Sequence, residues 1–141
     1  MSSAIRRFFE PSTPGSIDKG LLVLRVGFGL TLAFGHGINK LFSLGKFIRN
    51  VERHGFPLPE VMGPIAMLSE LAGGILLALG LATRPAATFV AATMLGAAFK
   101  VHANDPFSKK ELALAYALVA LVLLVTGPGR HSIDAKLERK H

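Results

Sequence analysis

Four apolar stretches, two of them with charge-free interiors, restrict this chain more than any other feature. They cover residues 20–44, 61–80, 85–103 and 111–126, and neither 86–99 nor 112–125 contains an Asp, Glu, Lys or Arg. A helix of a water-soluble bundle normally keeps a polar stripe toward solvent, and the later three segments have none. About 20 apolar residues cross a bilayer's hydrocarbon, so each stretch is near the crossing length, the fourth being the shortest. The composition agrees: half of the 141 residues are hydrophobic, only 18% are charged, and the mean hydropathy is +0.46. A soluble chain of this size carries about a quarter charged residues. The expected fold is all-α, a four-transmembrane-helix bundle over residues 20–129. Residues 1–19 are expected to form a polar N-terminal tail and 130–141 a basic C-terminal one, with the first helix acting as an uncleaved signal anchor.

The net charge of +7 comes mainly from Lys and Arg in the tails and between the apolar runs. That placement points to lipid headgroups rather than nucleic acid as the anionic partner. Outside the spans, Arg6, Arg7, Lys19, Arg84, Arg130, Lys136, Arg139 and Lys140 fall on one side, against Lys46, Arg49, Arg53, Lys109 and Lys110 on the other. The richer side is expected in the cytoplasm, and with it both termini of a bacterial inner-membrane protein. Lys40 and Lys100, at the ends of spans on the poorer side, narrow that margin.

Local signals divide the segments. Gly80 suits a left-handed helix end, and Thr83-Arg84-Pro85 reads as an N-cap with a proline in the first turn. Ser108-Lys109-Lys110-Glu111 has capping-box spacing, and Gly127-Pro128-Gly129 stops the last helix. The 45–60 connection, with its Phe56-Pro57-Leu58-Pro59 breaker, has room for a short surface helix. Gly73-Gly74, Ala92 with Gly96, and Ala113 with Ala117 offer the small-residue surfaces on which membrane helices pack.

Ionisable residues within the spans are the candidate functional groups, because a charge at membrane depth needs a partner or water. On an ideal α-helix, Arg25, His36, Asn39 and Lys40 share one stripe of the first span. Glu70 lies near the middle of the second, within leaning distance of both Arg25 and His36 in an antiparallel pair. His102, Lys100 and the single tyrosine, Tyr116, gather at one end. An Arg25–Glu70 ion pair that merely holds helices together is the structural alternative, as is a His36 satisfied by a backbone carbonyl. The chemistry on offer is proton transfer and hydrogen bonding, which suits a proton path or a quinone headgroup. Without cysteine there is no thiol chemistry. No metal site is expected, since His36 and His102 alone make a weak haem signal.

Several motifs occur in an order that resembles the DoxX family of small four-helix membrane proteins. They are Arg25-Val26-Gly27, His36-Gly37 with Lys40, Glu70-Leu71-Ala72-Gly73-Gly74, Leu79-Gly80-Leu81 with Thr83-Arg84, His102 with Asp105-Pro106-Phe107, Glu111 and Tyr116, and Gly127 through Asp134. The resemblance covers about residues 18–135. It implies kinship with membrane subunits of thiosulfate:quinone oxidoreductases and with members that associate with superoxide dismutase and a sulfurtransferase. The leading expectation is a membrane subunit of a redox or oxidative-stress system, with Arg25, His36, Lys40, Glu70, His102 and Tyr116 forming a site for a quinone or for protons. Soluble oxidoreductase or sulfurtransferase subunits and a second copy of the chain are the expected protein partners. The alternative is a non-catalytic anchor that holds soluble enzymes through its basic tail and the 45–60 loop. A small transporter is a third reading.

Overall fold

A computed structural model describes Ile5 and residues 10–140; Arg6 and Arg7 of the expected polar tail, and His141, lie outside the described residues. Residues 10–140 form six helices and no strand: α1 (Pro14–Phe42), α2 (Leu44–Arg53), α3 (Pro59–Leu79), α4 (Thr83–Gly96), α5 (Phe107–Thr126) and the short α6 (Ile133–Glu138). Four of them, α1, α3, α4 and α5, make the expected bundle. Both α1 and α3 are long and apolar enough to cross a membrane. At about 1.5 Å per residue, the 21 residues of α3 reach roughly 31 Å. A π turn, Ala97–Val101, lengthens α4, while α5 has 20 residues with Lys109, Lys110 and Glu111 near its start.

The helix ends differ from the local signals in informative ways. The first helix begins at Pro14 rather than Gly20, because Thr13 caps it by accepting a bond from the Ser16 amide at 3.3 Å and Pro14 supplies a pre-set first turn. The capping box at Ser108 does not form. Pro106, in extended conformation, already starts α5, so Ser108 is inside the first turn. Thr83 likewise is the first helical residue of α4, not its cap. The cap position is Ala82, whose φ of 46° is left-handed, and the capping group comes from another element, as described below.

The helices pack in the order α1, α3, α4, α5, with α2 lying across α3. Close approach of α1 and α3 depends on glycine. A Cβ at Gly74 would stand 2.6 Å from the Gly29 carbonyl oxygen, and one at Gly37 would stand 2.6 Å from Leu71 Cα. Of the small-residue surfaces, Gly73 and Gly74 meet α4 and α1, and Ala117 is buried against the core. Ala92 is exposed instead, because that face of α4 borders a cavity. The thinnest seam, α1 against α5, is closed by Tyr116, which meets the Phe28 and His36 rings edge-on at 5.4 and 5.5 Å.

The distribution of polarity is the reverse of a soluble bundle's. Arg25 and Glu70 are each only 2% exposed, while Val23, Phe34, Phe89, Phe99, Leu118 and Val125 stand more than half exposed. Charges pointing inward and apolar side chains pointing outward are what a hydrocarbon solvent selects. The connecting helix α2 is amphipathic: Val51 is buried and Ile48 covers Gly63, while Lys46, Arg49, Glu52 and Arg53 face outward. Such a helix suits the lipid–water boundary.

The glycine seam gives a direct test. Gly74→Leu should cost about 3 kcal/mol or more by forcing α1 from α3, whereas Gly27→Leu, where a Cβ meets nothing within 4 Å, should be near neutral. Unfolding of the purified protein in mixed detergent would measure both.

Candidate functional site

Two π turns, Ala33–Gly37 in α1 and Ala97–Val101 at the end of α4, shape the site. Each accommodates one residue more than an α-helical turn, so side chains beyond it are rotated by about 100° from an ideal stripe. His36 lies within the first π turn and His102 immediately follows the second. This rotation separates residues that the helical stripe had grouped. Lys40, not Arg25 or His36, reaches Glu70 and forms an ion pair with its Oε1. Lys40 also lies 4.8 Å from the centre of the Phe47 ring, a contact that a cation finds favourable.

Glu70 is the most informative residue here. Its other carboxylate oxygen, Oε2, is buried and has no hydrogen-bond partner. An unmatched buried polar atom is costly, so a donor from solvent or ligand is expected at that point. The residue borders two cavities. One, of about 170 Å³, brings the polar residues His36, Lys40, Glu70, His102, Lys109 and Tyr116 together with Met94, Ala97, Leu112 and Ala113. The other, of about 480 Å³, opens between α2, α3 and α4, with Phe47, Phe56 and Phe89 in an otherwise apolar wall and Lys40, Glu70 and His102 at its polar end. Lys40, Glu70 and His102 are thus common to both.

Five of the six residues singled out in the sequence, His36, Lys40, Glu70, His102 and Tyr116, meet around the polar cavity. Arg25 does not. It sits at the opposite end of the bundle, where its guanidinium donates to the carbonyls of Leu77, Ala78, Pro128 and His131. There it fastens the chain's C-terminal segment to the end of α3. Gly80, at φ 66°, is required beneath it, because a Cβ would come within 2.9 Å of Arg25 Cζ and closer still to Ser132.

Asp134 completes that fastening. Its two oxygens accept from the Ala82 and Thr83 amides at 2.8 and 2.9 Å, so the carboxylate caps α4 in place of a local side chain. Consecutive amides around a left-handed residue make an anion-binding hollow, which accounts for the strained φ at Ala82. Partial burial pushes the Asp134 carboxyl up, but the bonds from Thr83 and Ala82, together with the positive charge of Arg25, outweigh it and hold the group below the usual carboxylate range. Arg130 similarly pairs with Asp18, with 3.3 Å from Nε to Oδ2. Sequence reading placed Asp134 in the tail and gave it no role. The only hint was its place at the end of the 127–134 run on which the family resemblance partly rests.

Residues missed around the polar cavity are Lys109 and, beside His102, Asp105. The Asp105 carboxylate is bonded to His102 Nδ1 at 2.7 Å. Lys100, by contrast, lies 4.7 Å from the centre of the Phe56 ring, outside the group around Glu70.

A polar, cavity-bearing core inside a lipid-facing four-helix bundle defines a small integral membrane protein with an internal site. Comparison with known proteins gives the family: the DoxX profile matches residues 20–103, and the chain belongs to the DoxX family. It is 32% identical over 127 residues to "Inner membrane protein YqjF" of Escherichia coli (strain K12), covering 87% of this chain and 95% of that one. It is 34% identical over 120 residues to "Putative oxidoreductase CatD" of Bacillus subtilis (strain 168), covering 84% and 87% respectively. No solved structure gives a significant match.

Two outcomes test the electrostatics. Because the folded-state pKa of Asp134 is lowered, its contribution to stability is present at neutral pH and is lost as pH falls from the ordinary carboxylate range through the lowered value. Wild type should therefore melt above Asp134→Asn at pH 7, with the gap closing in acid. Lys40→Met should cost about 2 kcal/mol by leaving a buried carboxylate unpaired, and Lys40→Met with Glu70→Leu should recover most of it. Denaturant titrations of the single and double variants would show this.

Proposed function

We propose that this protein is the membrane subunit of a redox system, crossing the bacterial inner membrane four times, and that the Lys40–Glu70 site engages a quinone or quinol headgroup and the protons linked to it. The observation that carries this reading is that Glu70, paired with Lys40, borders both cavities and keeps a buried Oε2 without a hydrogen-bond partner among the described residues. The larger cavity, about 480 Å³, falls in the usual range for small-molecule pockets, about 300–1,000 Å³. Its rings and aliphatic side chains suit a substituted aromatic ring, and its polar end suits that ring's oxygens.

The residues fit both oxidation levels of such a ligand. A quinone carbonyl accepts hydrogen bonds, and Lys40, His102 and Tyr116 are donors or titratable groups near the same point. A quinol hydroxyl donates, and Glu70 Oε2 is an acceptor without a partner. When bound, the quinone supplies two-electron, two-proton redox chemistry. The chain itself supplies a charged pair that positions the headgroup and a carboxylate able to hold a proton. With no cysteine, any sulfur chemistry belongs to a soluble oxidoreductase or sulfurtransferase partner. The name of the Bacillus subtilis relative supports an oxidoreductase setting. In this reading both termini face the cytoplasm, where Lys19, Arg84, Arg130, Lys136, Arg139 and Lys140 gather at the end fastened by Arg25.

A plain anchor that holds enzymes by its tail receives less support. Part of that tail, α6, is fastened to the bundle by Arg25 and Asp134 and is not a free arm.

Binding of a decyl-substituted benzoquinone to the protein in lipid nanodiscs tests the proposal. Glu70→Gln and Lys40→Met should weaken binding at least about tenfold, equivalent to about 1.4 kcal/mol, and the exposed Glu60→Gln should leave it unchanged. Equal affinity in a folded Glu70→Gln protein overturns it.

A further inference from the structure

The polar cavity raises a question that the ion pair does not answer: how a proton reaches a carboxylate that is only 2% exposed. Among the described residues, His102 alone joins three conditions. Its side chain is one third exposed, it lines both cavities that Glu70 lines, and its Nδ1 is held at 2.7 Å by the carboxylate of Asp105. With Nδ1 bonded to Asp105, the other ring nitrogen, Nε2, has no hydrogen-bond partner among the described residues. A carboxylate that fixes one ring nitrogen sets the tautomer and leaves the second nitrogen to exchange protons.

The space between His102 and Glu70 is suited to water. The cavity of about 170 Å³ has room for roughly five molecules at ~30 Å³ each, and polar side chains from three helices and the α4–α5 turn surround it.

We propose that the His102–Asp105 pair is the proton port of the site, with His102 as the relay, Asp105 as its positioning residue and water in the polar cavity as the link to Glu70. This rests on the reading above that the Lys40–Glu70 site handles protons, and it names the route. In the step itself, His102 Nε2 takes a proton from bulk water and becomes imidazolium, then returns a proton to cavity water. That water passes one of its protons to Glu70 Oε2. Glu70 becomes neutral, Lys40 keeps its ammonium charge, His102 is again neutral, and the net change is one proton moved from bulk to Glu70. The reverse sequence exports a proton.

The other ionisable groups facing this space set the background against which the port works. From α1 these are His36 and Lys40. From α5 they are Lys109 and Tyr116, with Lys110 bonded to the Ala103 carbonyl at 3.2 Å and Glu111 exposed beside them. Lys100, at the end of α4, rests on Phe56. Lys46 is the appropriate control: it carries charge, faces outward on α2 and lines neither of the two cavities that Glu70 borders.

The test needs no bound ligand. Protein in lipid nanodiscs is stepped from about pH 8 to about pH 5, the range in which histidine ordinarily exchanges protons, and the Glu70 carboxylate band is followed by rapid-mixing infrared spectroscopy. The band is assigned by its absence in Glu70→Gln. The expected result is uptake in wild type and in Lys46→Gln at equal rates, slowed at least tenfold in His102→Gly and partly slowed in Asp105→Asn. Added imidazole should restore the rate in His102→Gly, which a merely structural defect would not allow. Wild-type rates in His102→Gly overturn the port while leaving the quinone reading standing. A Glu70 that stays ionised throughout in wild type overturns the port together with the proton-handling part of that reading, and quinone binding, measured separately, decides the remainder.

Discussion

The Lys40–Glu70 ion pair is the interaction on which the rest of the interior depends. A carboxylate buried among apolar helices is tolerable only if a cation meets it, and the cation that does so here, Lys40, is carried on α1. That requirement sets the register of α1 against α3. The register in turn demands that Gly29, Gly37 and Gly74 face the partner backbone, since any side chain there would hold Lys40 away from Glu70. Packing and charge thus specify the same arrangement twice, as expected for a chain that folds to one state.

A second polar fastening occupies the opposite end. Arg25 gathers carbonyls at the end of α3 and in the turn after α5, and Asp134 satisfies the amides that begin α4. Helix ends expose unpaired backbone groups, and near a membrane they cannot all rely on water. One arginine and one aspartate far apart in sequence resolve this for several termini together. The other end holds the two cavities that Glu70 borders, the two π turns and a buried carboxylate oxygen without a hydrogen-bond partner among the described residues.

The DoxX family membership and the similarity to a protein named as an inner membrane protein agree with a bundle whose charges turn inward and whose apolar side chains turn outward. A buried oxygen without a partner at Glu70 departs from that otherwise matched interior, and functional sites are where such departures from local folding rules are expected.

Hydropathy alone determined the all-α bundle, its four main helices and the inward turn of its charges, because the cost of polarity in hydrocarbon depends on residue type and hardly on neighbours. It also singled out His36, Lys40, Glu70, His102 and Tyr116. It did not determine who meets whom. The expectation that Glu70 lies between Arg25 and His36 assumes a register of α1 on α3, and packing sets a different one, with Gly37 against Leu71 and Arg25 on the carbonyls of Leu77 and Ala78. Likewise the capping of α4 by Asp134 spans 51 residues and leaves no local signature at Thr83. Partner choice between distant groups is decided by how helices cross and where their ends return, and those quantities exist only once the chain is packed.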